Sequence, residues 1–187
     1  MPKVIEDEQI FQAVLKSVSE RGYAGATTKQ MAEAAGVSEV TLFRKYENKA
    51  QLVSQAIAYI IEQTDFAASA RYTGDIHADL LRVVQAYQDT AVKYGLFIFA
   101  LFADLARFPE LLGVMDKPLR IFQSIGALIA RYQRKGILKP EHPLHAVASL
   151  LGPLMYIITI RREKLDSSVP PMDLPAHVTC FLEGRRI

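Results

Sequence analysis

Residues Thr27 to Lys49 read TTKQMAEAAGVSEVTLFRKYENK, and local signals divide them into two short helices and the start of a third. Thr27 with Gln30 three residues on is a capping box, in which each side chain meets the other's backbone N–H. Gly36 follows Ala35 where the first short helix must stop, because glycine enters the left-handed region without a Cβ penalty. Ser38 caps the second helix, and Asn48 with Gln51 repeats the start signal for the next. Ala32 and Ala35 let two helices cross closely, Met31 fills the space between them, and Val37 and Leu42 turn inward. Outside on Ser38 to Tyr46 stand Glu39, Val40, Thr41, Arg44 and Lys45. This is the layout of a helix-turn-helix, whose second helix lies in the DNA major groove.

Arginine and lysine bond guanine edges or phosphates, and threonine or valine meets a thymine methyl. Thr28, Lys29 and Lys49 sit at helix starts, where the helix dipole adds attraction for a phosphate. The candidate DNA contacts are Thr28, Lys29, Ser38, Glu39, Val40, Thr41, Arg44, Lys45, Tyr46 and Lys49. A small three-helix bundle with a solvated charged face fits the same pattern. Lys/Arg and Asp/Glu balance between Met1 and Ala50, so any DNA contact must come from local arrangement and not from a basic domain.

Working outward, nearly every segment carries a period of 3.6 and none alternates like a strand. The expectation is an all-α chain of roughly nine helices. The first runs Glu6 to Arg21, with Ile10, Ala13, Val14, Ser17 and Val18 on one face and Gly22 as its stop. A long helix follows Asn48 through Ile61, with Ala70 as its outer limit. Asp75 caps Ile76 to Lys93, Gly95 separates that from Leu96 to Arg107, and Phe108-Pro109 ends it. Then come Leu119 to Lys135 closed by Gly136, His145 to Lys164, and a last helix from about Pro175 to Gly184. The expected domains are residues 1–48, the helix-turn-helix, and 49–187, for ligand binding and dimerisation.

The chain has 187 residues, half of them hydrophobic, and one cysteine. That length buries a sizeable core, and a lone Cys180 excludes an internal disulfide and a cysteine-rich zinc site. Cys180 stands beside Val178, Phe181 and Leu182 and is expected to pack as a small hydrophobe. His142 and His145 are a weak metal spacing against a surface reading, so no metal, cofactor or catalytic residue is assigned. Acidic Glu6, Asp7 and Glu8 stand where a signal peptide wants positive charge. The nearly apolar run Ala146 to Ile160 is shorter than the ~18 to 20 residues of a membrane span. The expectation is a cytoplasmic protein with no membrane partner.

ATTKQMAEAAGVSEVTLFRKYENKAQLV (Ala26 to Val53) resembles the N-terminal signature of the TetR family of bacterial transcriptional regulators. The pattern runs through Thr27, Met31, Ala32, Ala35, Gly36, Val37, Ser38, Thr41, Leu42, Phe43, Tyr46, Lys49 and Leu52. It extends backward through Ile10, Ala13, Glu20, Gly22 and Tyr23, covering about the first sixty residues. Three positions depart from it: Val40 where the family often has glycine, Phe43 where tyrosine is usual, and Val18 where phenylalanine is frequent. Glu39, which would repel a phosphate, either accepts from cytosine N4 or points to solvent.

The resemblance implies a homodimer on a palindromic operator, released by a small effector held among the middle helices. Polar groups among apolar walls fix a ligand's orientation. The candidate effector contacts are Tyr87, Gln88, Phe99, Phe102, Phe122, Gln123 and Tyr156, with Tyr132 beside them, against the alternative that aromatics at helical spacing simply fill the core; the sparse charge favours an apolar or aromatic effector. The last two helices suit the dimer interface, since a helix apolar all round, as His145 to Lys164 is, must be covered on more than one side. Two other readings are an enzyme on a helical scaffold and a helical interaction module. The chain has no Ser/His/Asp arrangement, phosphate loop or nucleotide fingerprint to support the enzyme.

Overall fold

A computed structural model describes residues 7–162, 166 and 168–187, with only the backbone of residue 162. The described residues form nine helices: α1 (Asp7–Gly25), α2 (Thr28–Ala35), α3 (Glu39–Tyr46), α4 (Lys49–Glu62), α5 (Ile76–Asp104), α6 (Leu111–Val114), α7 (Asp116–Arg134), α8 (Pro143–Arg162) and α9 (Leu174–Glu183). Among those residues the sole β pairing is an isolated antiparallel bridge between Leu138 and Arg186. The expected outer limits Glu6 and Lys164 lie outside the described residues.

The agreement in number conceals two differences. Gly95 does not divide a helix: α5 runs 29 residues through it. A glycine inside a helix costs roughly 1 kcal/mol, which burial of Tyr94, Phe97 and Leu101 beside it outweighs. The second difference is α6, a single turn with no side-chain cap, too short for periodicity to reveal.

The chain packs as two compact units, residues 1–63 with 94–117 and residues 64–93 with 118–187. The first unit holds α1 to α4, the end of α5, and α6. Its core gathers Val14 and Val18 of α1, Met31 and Ala32 of α2, Leu42 of α3, Val53 and Ala56 of α4, and Phe97, Leu101 and Leu111. The helix ends form as the caps require. Gln30 N–H donates to Thr27 Oγ1 at 3.2 Å and Thr27 N–H to Gln30 Oε1 at 3.1 Å. Gly36 has φ 71°, and Val37 N–H reaches Ala32 O at 3.0 Å while Gly36 N–H reaches Glu33 O at 3.1 Å. Those two bonds are a Schellman closure of α2. Ser38 Oγ accepts from Thr41 N–H and Asn48 Oδ1 from Gln51 N–H.

Gly22 breaks the regular run of α1 with φ 71° and ψ 172°. A Cβ there would also meet Asp104 Oδ2 at 3.1 Å. That carboxylate oxygen accepts the Ala24 N–H at 3.1 Å, satisfying a donor left over at the kink.

The second unit holds the first part of α5 with α7, α8 and α9. Its core includes Leu80, Val83, Val84, Ile125, Ile129, Leu150 and Val178. Inside it Asp79, fully buried, accepts from Thr73 Oγ1 at 2.6 Å, Thr73 N–H at 2.8 Å, Tyr132 Oη at 2.6 Å and Arg82 at 2.7 Å. Burial alone would raise its pKa, but the donors from Thr73, Tyr132 and Arg82 outweigh it and bring it to about 2.

α8 is longer than the apolar run Ala146 to Ile160 that the sequence shows. The helical stretch Pro143–Arg161 is long and apolar enough to cross a bilayer by length and composition, and 28% of that window is buried. Residues on both sides of the apolar run Ala146 to Ile160 belong to the helix. α8 continues through Gly152-Pro153. Ala146, Val147, Leu150, Leu151 and Leu154 are buried, whereas Tyr156 is 67% exposed. Cys180 is exposed, against the expectation of packing. Val178, Phe181 and Leu182 form the inner face of α9, and at 100° per residue Cys180 falls on the other side.

Two expected outcomes follow from the buried carboxylates. Asp79→Asn should lower unfolding free energy at neutral pH by about 2 kcal/mol or more. Because the folded pKa lies below the unfolded value of 3.8, the wild-type advantage is full above that value. It fades as the pH falls towards about 2, as urea denaturation across that range would measure. Asp104→Ala leaves the Ala24 N–H without its acceptor and should cost roughly 1–3 kcal/mol by the same measurement.

Candidate functional site

α3 is seated by Leu42 and Tyr46, both buried, and presents Val40, Phe43, Arg44 and Lys45 outward. Val40 is 77% exposed, an unusual position for a valine with nothing to cover it. Phe43 and Arg44, three and four residues on, share its helix face. Arg44 has no ion-pair partner among the described residues. Lys29, at the start of α2, and Ser38, at the cap of α3, are exposed as well.

Other candidates are held by the protein itself. Glu39 Oε1 accepts from Thr28 Oγ1 at 2.5 Å, tying the first turns of α2 and α3 together. Thr41 Oγ1 lies 2.8 Å from Ser38 Oγ. Tyr46 is turned inward: its ring packs on Phe11 and its hydroxyl donates to Asp7 at 3.0 Å. Burial and the Asp7 carboxylate raise the Tyr46 pKa. Lys45 forms an ion pair with the same Asp7, and its hydrogen bond helps hold Asp7 below the ordinary carboxylate range.

Lys49 is also engaged. Its ammonium donates to the Tyr23 carbonyl and stands 4.2 Å from the Tyr23 ring centroid. Burial lowers its pKa, against the pull of Asp104 and Glu110. Tyr23 packs edge-on against Phe108 and donates to Glu110 at 3.3 Å; burial first, then Glu110, pushes its phenol up to about 12. Asp7 was the residue missed from the sequence, where it served only as evidence against a signal peptide. Its pairing spans 38 residues, beyond the reach of local pattern.

The second unit has an open cleft of about 410 Å³. α5 contributes Gln88 and Val92, α8 contributes Leu154, Ile157, Ile158 and Arg161, and the segment before α9 adds Pro171 and Met172. Of the seven candidate effector contacts only Gln88 lines it. Tyr87 and Phe122 come together through Phe66, at 5.5 and 5.9 Å between ring centroids, in an aromatic cluster where Phe66 and Tyr87 are buried and Phe122 is half-buried. Burial pushes the Tyr87 phenol up to about 12. Gln123 and Tyr156 are exposed, and Phe99 and Phe102, 57% and 50% exposed, belong to the other unit. Tyr132 is committed to Asp79. Of the five candidates in this unit, Tyr87, Gln88, Phe122, Gln123 and Tyr156, Gln88 alone lines the cleft. Helical spacing identifies a face but not which faces converge.

His142 and His145 have ring centroids 5.1 Å apart, and His142 Nδ1 accepts the Leu144 N–H at 3.3 Å. Among the described residues no group of three or more His, Cys, Asp or Glu is placed to hold a metal.

Comparison with known proteins bears on this arrangement. Residues 10–56 match the family model TetR_N, described as bacterial regulatory proteins, tetR family. The HTH-type transcriptional regulator YvkB of Bacillus subtilis is 27% identical over 141 residues, 71% of this chain and 70% of that protein. The HTH-type transcriptional regulator Mb1581 of Mycobacterium bovis is 25% identical over 167 residues, 89% of this chain and 80% of that one. In fold, a TetR family transcription regulator from Marinobacter aquaeolei covers 96% of this chain and 95% of its own, with a TM-score of 0.74 at 16% identity. The matched segment spans the capping box, the Gly36 turn and α3, so residues 10–56 carry the helix-turn-helix segment of the tetR family of bacterial regulatory proteins, and the chain is similar over most of its length to HTH-type transcriptional regulators.

Proposed function

We propose that the chain is a ligand-responsive repressor that binds a palindromic operator as a homodimer and is released by a small, largely apolar effector. The observation that carries the DNA-reading part is the outward face of α3. Val40, Phe43 and Arg44 stand exposed on one helix face among the described residues. On this reading residues 1–48 read DNA and residues 49–187 sense ligand and dimerise. Val40 and Phe43 offer apolar contact to thymine methyls, Arg44 reads guanine, and Lys29 with the α2 N-terminus binds a phosphate. Thr28 and Glu39 hold the two helices in register, Ser38 and Thr41 set the start of α3, and Tyr46 seats it. Lys45 reaches DNA by exchanging Asp7 for a phosphate, and Lys49 by leaving the Tyr23 carbonyl.

The dimer would form through α8 and α9. α8 is apolar around its circumference but buried by its own chain on one side only, and a second copy covering Tyr156 would satisfy the rest. That reading also accounts for the apolar length of α8 without a membrane and suits a protein working in the cytoplasm. Two recognition helices would then stand ~34 to 36 Å apart in successive major grooves. An effector preferring another spacing would lower DNA affinity by population shift.

Selection from random duplexes should return an inverted repeat, and Arg44→Ala should change the preferred half-site. An unchanged half-site would remove Arg44 from the base-reading set. Lys29→Ala should instead weaken binding to every sequence and reduce the slope of log affinity against log salt by about 1. Asp7→Asn, which releases Lys45, should strengthen DNA binding roughly two- to five-fold at low salt, the range of an exposed ion pair. Tyr156→Glu should shift sedimentation from dimer to monomer.

A further inference from the structure

We infer that the cleft between α5, α8 and the segment before α9 binds an organic anion, a carboxylate on an apolar body, with Arg161 as its anchor. The inference rests on the ligand-responsive reading for its regulatory meaning but not for the binding site itself. The cleft volume of about 410 Å³ falls within the ~300 to 1,000 Å³ of small-molecule sites. Its walls, from Val92 to Met172, are apolar but for Gln88 and Arg161. Arg161 is the one charged side chain among the lining residues, and it has no hydrogen-bond or ion-pair partner among the described residues.

Two contrasts make that arginine informative. In the same unit Arg82 is spent on Asp79, Ser69 O and Arg71 O, and Arg185 on Glu141. Those guanidiniums are structural; Arg161 is left at the edge of an apolar surface. A guanidinium stays charged at any physiological pH and offers a planar fork that fits a carboxylate through two parallel N–H···O bonds. An apolar wall beside it lowers the local dielectric and strengthens that attraction relative to open water. A cationic ligand would meet the arginine as a like charge. A neutral one would gain the apolar burial alone. Gln88, from α5, adds a donor and an acceptor for a second polar atom of the ligand.

Isothermal titration of the full chain with decanoate, decanol and decylammonium, each below its micelle-forming concentration, tests the assignment. The expected order is decanoate tighter than decanol by at least ten-fold, with decylammonium weakest. Arg161→Gln should remove that ten-fold advantage and leave decanol affinity unchanged. Arg161→Glu should reverse the preference in favour of decylammonium. Val92→Phe, at an exposed wall position, should weaken decanoate and decanol together. Equal binding of decanoate and decanol by the wild type, or an Arg161→Gln variant with the decanoate advantage intact, would overturn the inference.

Operator release, followed by fluorescence anisotropy on the selected DNA, separates the two layers. Decanoate binding that depends on Arg161 without DNA release supports the site and counts against the ligand-responsive reading. Release by neutral or cationic compounds, indifferent to Arg161→Gln, supports that reading and overturns the anion site.

Discussion

The outward face of α3 hangs on the left-handed residue Gly36. Its φ of 71° turns the chain between α2 and α3 in one step. The two N–H bonds to Ala32 and Glu33 satisfy the carbonyls that would otherwise be orphaned there. With the turn fixed, Leu42 must point into the core, and the helical period then dictates that Val40, Phe43 and Arg44 point out. An L side chain at Gly36 would meet no steric obstacle within 4 Å. The requirement is therefore one of backbone conformation alone, and any substitution pays a torsional cost of about 1 kcal/mol.

The features legible in the sequence are those whose physics is local. Thr27 with Gln30, Gly36, Ser38 and Asn48 announce themselves because each cap joins atoms within a few residues of one another. Gly95 misled because glycine's helix cost is small and the apolar residues around it decide the matter through burial, which pattern does not measure. Tyr132 reads as an aromatic near a ligand; its hydroxyl is used 53 residues away on Asp79, a distance no periodicity reports. Cys180 was placed by its neighbours in sequence when its position on the helical wheel was the better guide.

The lysines carry a related lesson about charge. Over the first fifty residues acids and bases balance, and the structure shows where some of the bases go: Lys45 to Asp7 and Lys49 to the Tyr23 carbonyl. An exposed pair such as Lys45 with Asp7 contributes little to folding, so exchanging the carboxylate for a phosphate costs little. Lys49 is different, being half-buried over an aromatic ring and hydrogen-bonded to the kink that follows Gly22. Moving it would disturb the neighbourhood that Asp104 and Glu110 also hold. Of the two cations, Lys45 is the one that can leave its partner at small cost, and Arg44 and Lys29 have no ion pair among the described residues to give up.

α8 shows how one apolar helix can serve three neighbours by dividing its circumference. Ala146, Val147, Leu150 and Leu151 face their own core, a demand set by folding. Ile157, Ile158 and Arg161 line the cleft, where full packing would leave no room for a guest. Tyr156 stands on neither side, with an aromatic ring too large to leave in water without a reason and a hydroxyl that tolerates a wet rim. A helix required only to fill a core would carry polar residues on its outer face. On the dimer reading a second copy covers the apolar side chains retained there, and Arg161, near the end of the helix, marks where apolar contact gives way to charge.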